Sequence, residues 1–152
     1  MGIRRLDRRT IEENLEQLLE LERHYSDDPN EVWTEENFLL DTEGKSDFSN
    51  IALNGEEIVG YFILTVKIDE GRLYGYINRT FVNPKYRDSS VYLRLFADAR
   101  KKFRKAGIDM FRWKCSPDNK RVYEYHLRFA DRIIGAENIG NKKYYIFEKM
   151  IK

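Results

Sequence analysis

Between the strand-like run that ends at Val82 and a helical pattern that begins near Ser90, the chain reads Val82-Asn83-Pro84-Lys85-Tyr86-Arg87-Asp88-Ser89-Ser90-Val91-Tyr92. The first amides of a helix have no partners within it, and the helix dipole places positive potential there. A phosphate or diphosphate fits such an end. Lys85 and Arg87 add cationic charge, Ser89 and Ser90 add hydroxyl donors, and Asp88 adds a negative charge at the same place. An anion site is one reading of the segment, and a solvated strand-to-helix loop is the other. Cys115 is the only cysteine. It reads as a buried structural thiol before it reads as a nucleophile, since no basic partner is evident nearby. Arg100, Lys101, Lys102, Arg104 and Lys105 form a basic run, read first as a solvated helix face and second as a contact for phosphate, RNA or an acidic partner.

The elements that must position these residues follow from periodicity. Ile3–Leu6 reads as a short strand. A helix starts at Thr10, where Thr10 and Glu13 have capping-box spacing, and Ile11, Leu15, Leu18 and Leu19 make its apolar stripe. Pro29 breaks the pattern, and a second helix is expected over Glu31–Leu40, followed by a polar loop over Asp41–Asp47. Strands are predicted over Ser49–Leu53, Glu57–Lys67 and Arg72–Val82. Asn54-Gly55 marks a type I′ hairpin between the first two, and Gly60 marks a bulge or a close approach. The helix Ser90–Ala106 places Val91, Leu95, Ala99 and Phe103 on one face and stops at Gly107. Ile108–Cys115 is a strand and Asn119–Ala130 a helix capped by Asp118. Ile133–Ile139 and Lys143–Ile151 are closing strands. The order is strand, two helices, three strands, helix, strand, helix, two strands.

The length of 152 residues suits one domain spanning 1–152. Hydrophobic residues at 41% and aromatics at 14% mark a globular chain. A formal net charge of +1 argues against nucleic acid as the main partner. One cysteine allows no internal disulfide, and His24 and His126 alone make a poor zinc ligand set. No apolar run approaches a membrane span, and the polar, basic Met1–Arg9 is not a secretory signal, so the expected compartment is the cytoplasm.

Val82-x-Pro84-x-Tyr86-Arg87 resembles the Val-x-Pro-x-Tyr-Arg motif of the GNAT N-acyltransferases, which continues x-x-Gly-x-Gly or x-x-Gly-x-Ala. Asn119 before an aromatic helix is similar to that family's Asn-x-x-Ala-x-x-x-Tyr segment. The likeness covers essentially the whole chain as topology, but only Val82–Arg87 and Asn119 as residues. Ser90 replaces the first motif glycine, Tyr92 stands where glycine or alanine is usual, and Ala130-Asp131 replaces a Gly-Phe pair.

The resemblance implies an α/β fold (α+β by some schemes), a mixed, mostly antiparallel twisted sheet of about seven strands flanked by about four helices. It implies acetyl-CoA or another acyl-CoA as co-substrate, with the pantetheine arm lying in a splay between the fourth and fifth strands like an added strand. The cofactor-binding candidates are then Phe81, Val82, Arg87, Asp88, Ser89, Ser90, Val91, Tyr92, Asn119 and Tyr123, with a backbone amide near Val82 as oxyanion donor. Counting seven from Asn119 reaches His126, where the family has a tyrosine that protonates the departing thiolate. His126 and its neighbour Tyr125 are therefore the catalytic candidates. An ordinary histidine pKa of ~6.5 suits that proton transfer. Tyr125 also shares a stripe with Val122 and Phe129 and so reads as core. The fourth strand offers Tyr76, Asn78 and Arg79 but no carboxylate past Glu70, so the base comes from elsewhere or is water held by Asn78 and Tyr76. Arg79 is either a solvated strand residue or a contact for an acceptor carboxylate. The expected activity is direct acyl transfer to a primary amine on a small molecule or peptide, with no metal, membrane or nucleic-acid partner and a homodimer left open. The alternative is a GNAT-fold module that binds CoA or a partner without catalysis.

Overall fold

The computed structural model describes residues 1–24, 31–87, 90–118 and 120–151. The alternating apolar runs become β1 (Gly2–Arg5), β2 (Asn50–Asn54), β3 (Glu57–Asp69), β4 (Arg72–Val82), β5 (Met110–Cys115), β6 (Arg132–Ile139) and β7 (Lys142–Met150). The helices are α1 (Arg8–Arg23), α2 (Glu35–Leu39), α3 (Lys45–Phe48), α4 (Val91–Lys105) and α5 (Lys120–Phe129). All seven strands join one sheet of order β1-β2-β3-β4-β5-β7-β6. Only β4 and β5 run parallel, with α4 as the crossover between them. β3 is buried without a break from Ile58 to Thr65, because helices cover both faces of the sheet there. Phe62, Leu64, Phe111, Trp113 and Phe147 pack under α4. Tyr61, Ile63 and Phe81 pack with Ile11 and Leu18 of α1 and Phe38 of α2 on the other side.

Three local expectations are corrected. The cap of α1 is Asp7, whose carboxylate accepts from the Thr10 amide at 3.0 Å and the Thr10 hydroxyl at 2.9 Å, so a Thr10–Glu13 box does not form. An anionic acceptor at the positive helix end outcompetes a hydroxyl, and Glu13 pairs with Arg9 instead. In the β2–β3 hairpin only Gly55 takes a positive φ (63°), so the Asn54-Gly55 type I′ turn is not what forms. Both residues of Glu70-Gly71 do so, at 49° and 80°, between β3 and β4.

The third concerns the Asp41–Asp47 loop, which contains α3 and brings the helices to five. Lys45 buries its ammonium there and donates to Phe38 O and Leu40 O, both at 2.6 Å, closing the end of α2. Phe48 stacks on Phe103 at 4.1 Å.

Candidate active site at the splay of two parallel strands

β4 and β5 pair only over Gly75↔Phe111, Tyr76↔Arg112 and Ile77↔Trp113. Beyond the last rung the strands part, and Asn78–Val82 keeps β3 as its only partner strand in the sheet. A bulge helps to open the fork. Ile63 pairs with Arg79 and Leu64 with Ile77, so Asn78 is one residue too many on β4. The extra residue increases local twist. Asn78 Oδ1 accepts from the Thr65 hydroxyl at 2.8 Å, which fixes it on the face that carries α1 and α2. Gly60 serves both earlier readings. It pairs with Val82 beside the β2–β3 irregularity, and a Cβ there would lie 2.7 Å from Phe81 O.

Pro84–Tyr86 form one 3-10 turn after β4, and Asn83 anchors it, accepting from the Lys85 amide at 3.1 Å and donating to Ile58 O at 3.0 Å. The Lys85 ammonium turns away to Glu57 at 3.0 Å, and the Tyr86 hydroxyl donates to the same carboxylate. Lys85 therefore does not add its charge to the helix end, whereas Arg87 stays at the fork, with Nε 3.4 Å from Val82 O. Ser90 is the N-cap of α4, and its hydroxyl caps no amide. Among the described residues no acceptor takes the amides of Val91, Tyr92 or Leu93. The side chains of Phe81 and Val91 are committed to the two cores, so these residues offer the fork backbone alone. Asp88, Ser89 and Asn119 lie outside the described residues.

The Tyr92 ring packs against the sheet, 5.1 Å from Phe62. Phe62 pairs with Thr80, inside the opened stretch of β4. The rings continue from Tyr92 to Tyr125 at 6.0 Å, Tyr125 to Phe129 at 6.0 Å and Phe129 to Trp113 at 5.8 Å. An aromatic ladder thus crosses from β3 to the last rung of β5 on the α4–α5 face. Tyr125 is 39% exposed and Val122 41%, which corrects their expected core stripe. The inward side of α5 carries Tyr123, against Tyr145 and Phe147, and His126.

His126 sits beside the last rung. Trp113 Nε1–H donates to its Nδ1 at 3.1 Å. An indole N–H only donates, so Nδ1 is bare and the neutral ring carries its proton on Nε2. Burial pulls the pKa of His126 down to about 4. The ordinary value assumed from sequence is therefore not the one the fold sets, because Trp113 and Phe147 come from distant strands. Burial pushes the Cys115 thiol up to about 11, a poor nucleophile.

Arg79 is not a solvated strand residue. Its guanidinium is bonded to the fully buried Glu22 of α1 and donates to Glu31 O at 2.7 Å. Glu22 also accepts from the Tyr61 hydroxyl and, at 2.9 Å, from the Trp33 amide. Glu31 pairs with Lys142, at the start of β7. Sequence reading missed Glu22 as a site residue because it looked like any polar residue of a surface helix. The fork thus has a donor-side mouth at the start of α4 and, on the opposite face, a wall tied together from α1, β4, residues 31–33 and β7. Among the described residues no helix is long and apolar enough to cross a membrane, and no cluster of three or more His, Cys, Asp or Glu could hold a metal.

The arrangement is a strand–turn–helix above a forked parallel pair, with no acceptor among the described residues on the first amides of the helix. The sequence matches the Acetyltransferase (GNAT) family over residues 14–130, and the chain belongs to that family. No curated protein sequence matches it significantly. Among solved structures it is similar to Arabidopsis thaliana Naa50 in complex with the bisubstrate analogue CoA-Ac-MVNAL, at 17% identity over 97% of each chain with a TM-score of 0.73. It is also similar to the ribosomal-protein-S18-alanine N-acetyltransferase of Escherichia coli, at 14% identity over 99% of this chain and 93% of that one, TM-score 0.74. Ard1 from Thermoplasma volcanium gives 13% identity, 99% and 97% coverage and a TM-score of 0.77. At these identities the likeness is one of fold.

Proposed function

We propose that the chain, read as one domain, moves an acetyl or other short acyl group from acyl-CoA directly to a primary amine. The observation that carries the reading is the conjunction at the fork: β4 lacks a β5 partner from Asn78 to Val82, and beside it no acceptor among the described residues takes the first amides of α4. The diphosphate would lie on those amides with Arg87 at its edge, and the pantetheine arm would follow β4 as a strand does. Naa50, of the same fold, is in complex with a bisubstrate analogue, CoA-Ac-MVNAL, which supports a site that takes CoA and an amine acceptor together.

In the reaction the amine, freed of its ammonium proton, attacks the thioester carbonyl. A C–N bond forms, the attacking nitrogen gives its extra proton to water, the C–S bond breaks and the thiolate leaves. Orientation supplies much of the rate, and an amide near Val82 would hold the oxyanion. Water held by Asn78 and Tyr76 is the base this reading assigns. With its pKa near 4, His126 is neutral at pH 7. Its role in this reading is a hydrogen bond from Nε2–H to the thiolate, with Tyr125 at the ladder as the nearby hydroxyl. The acceptor is a peptide or small-molecule amine.

A neutral His126 also favours the second reading, a CoA-binding module without turnover. Thiol release from acetyl-CoA over a panel of peptide and small amines, with mass detection of product, separates the two. Acetylated product supports transfer. Acetyl-CoA binding with no product on any amine supports the module, and no binding overturns both.

A further inference from the structure

α1 and α2 pack on the Arg79–Phe81 end of β4, and the same face continues across the start of β4 and across β5, β7 and β6 as a charged layer. Arg112 bonds Asp69 at 2.9 Å and Glu148 at 3.0 Å, Arg132 also bonds Glu148, and Lys114 pairs with Glu137. These three carboxylates are therefore all engaged. Lys67 differs, having no ion pair among the described residues. Its ammonium stands 4.0 Å from the Tyr76 ring centroid, and that of Lys114 stands 5.9 Å from the same ring. Both ammonium groups lie by the Tyr76 ring, and among the described residues only Lys114 has an ion pair. Burial lowers the Lys67 pKa, the Lys114 charge adds to that, and the Glu137 carboxylate opposes both more weakly. Tyr76 lies one residue before the last β4–β5 rung, and Asn78, two along the strand, is the bulge residue of the fork.

We infer that Lys67, held over Tyr76 with Lys114 behind it, is a specificity subsite for a carboxylate carried by the acceptor close to its amine, so that the preferred acceptors are acidic. The inference rests on the acyltransferase reading and names its substrate class. A carboxylate arriving there completes an ion pair on an aromatic platform and relieves the repulsion between the two ammonium groups. A neutral isostere gains neither.

The test uses the full chain and two hexapeptides with free N-termini, one with glutamate at positions two and three, the other with glutamine. Each is titrated by chemical shift, independently of turnover. The acidic peptide is expected to bind about fivefold tighter, the scale of a partly exposed ion pair. The gap should close in Lys67→Ala, and also in Lys67→Met, which keeps the stem over the ring. It should reverse in Lys67→Glu. Equal affinities in the parent chain, no binding of either peptide, or a gap that survives Lys67→Ala overturns the inference. Acetyl-CoA affinity of the same parent sample reports separately on the acyltransferase reading, which fails if that binding is absent.

Discussion

Replacing Leu93 by glutamate should strengthen the fold and weaken the donor site at once. Leu93 is the third residue of α4 and 61% exposed, so its removal opens no cavity. With Ser90 at the N-cap, a glutamate at this position places a negative charge at the positive helix end. That adds about 0.5 kcal/mol, or a rise in melting temperature of roughly 1–2 °C for a chain of this size. A diphosphate on the same amides meets the new carboxylate at roughly 8 Å. Two charges at that distance in a water-like medium cost about 0.5 kcal/mol each, about 1 kcal/mol in all, or roughly fivefold in Kd. Calorimetry with acetyl-CoA at low salt, beside a thermal melt, reads both effects. The affinity loss should shrink at about 0.5 M salt, and Leu93→Gln should retain most of the affinity. An unchanged or tighter Kd in Leu93→Glu would refute placing the diphosphate at this helix end.

Other outcomes follow from the same geometry. Arg79→Met leaves the buried Glu22 carboxylate without its cation and should cost about 3–5 kcal/mol, a fall of roughly 10 °C in a thermal melt. Adding Glu22→Gln should lose less than the sum of the two single changes. The pKa of His126 is near 4 in the fold against an ordinary 6.5, so the unfolded chain binds the proton more readily. The stability it contributes is complete above pH 6.5 and is lost as pH falls toward 4, by roughly 2 kcal/mol after solvent screening. Denaturant titrations across that window should show the loss in the parent chain and a flatter profile in His126→Gln. With its thiol held near 11, Cys115 should react slowly with iodoacetamide at pH 8, and Cys115→Ala should keep its transfer rate if transfer is direct.

The strands and their order could be read because alternation and turn residues are local signals. The resemblance carried by Val82–Arg87 also implied a splay between the fourth and fifth strands. What sequence could not supply came from contacts between distant segments. α3 exists because Lys45 reaches the carbonyls of α2 and Phe48 stacks on Phe103, neither of which has a periodic signature. The Asp7 cap was masked by a plausible Thr10–Glu13 spacing, and which acceptor wins depends on charge at the helix end. His126 looked like an ordinary titrating histidine until Trp113 and Phe147 closed over it from β5 and β7. Tyr125 was given a core role by helical spacing, but the inward face of α5 is set by Tyr123 and His126. Tyr92 departs from the glycine pattern in sequence, and only the fold reveals that its ring leans on Phe62.

A crystal grown with CoA tests the central claim most directly. The account predicts density for the diphosphate on the amides of Val91, Tyr92 and Leu93, and for the pantetheine arm beside Asn78–Val82. CoA held at another surface, or a fork whose amides stay bare at saturating CoA, would contradict it.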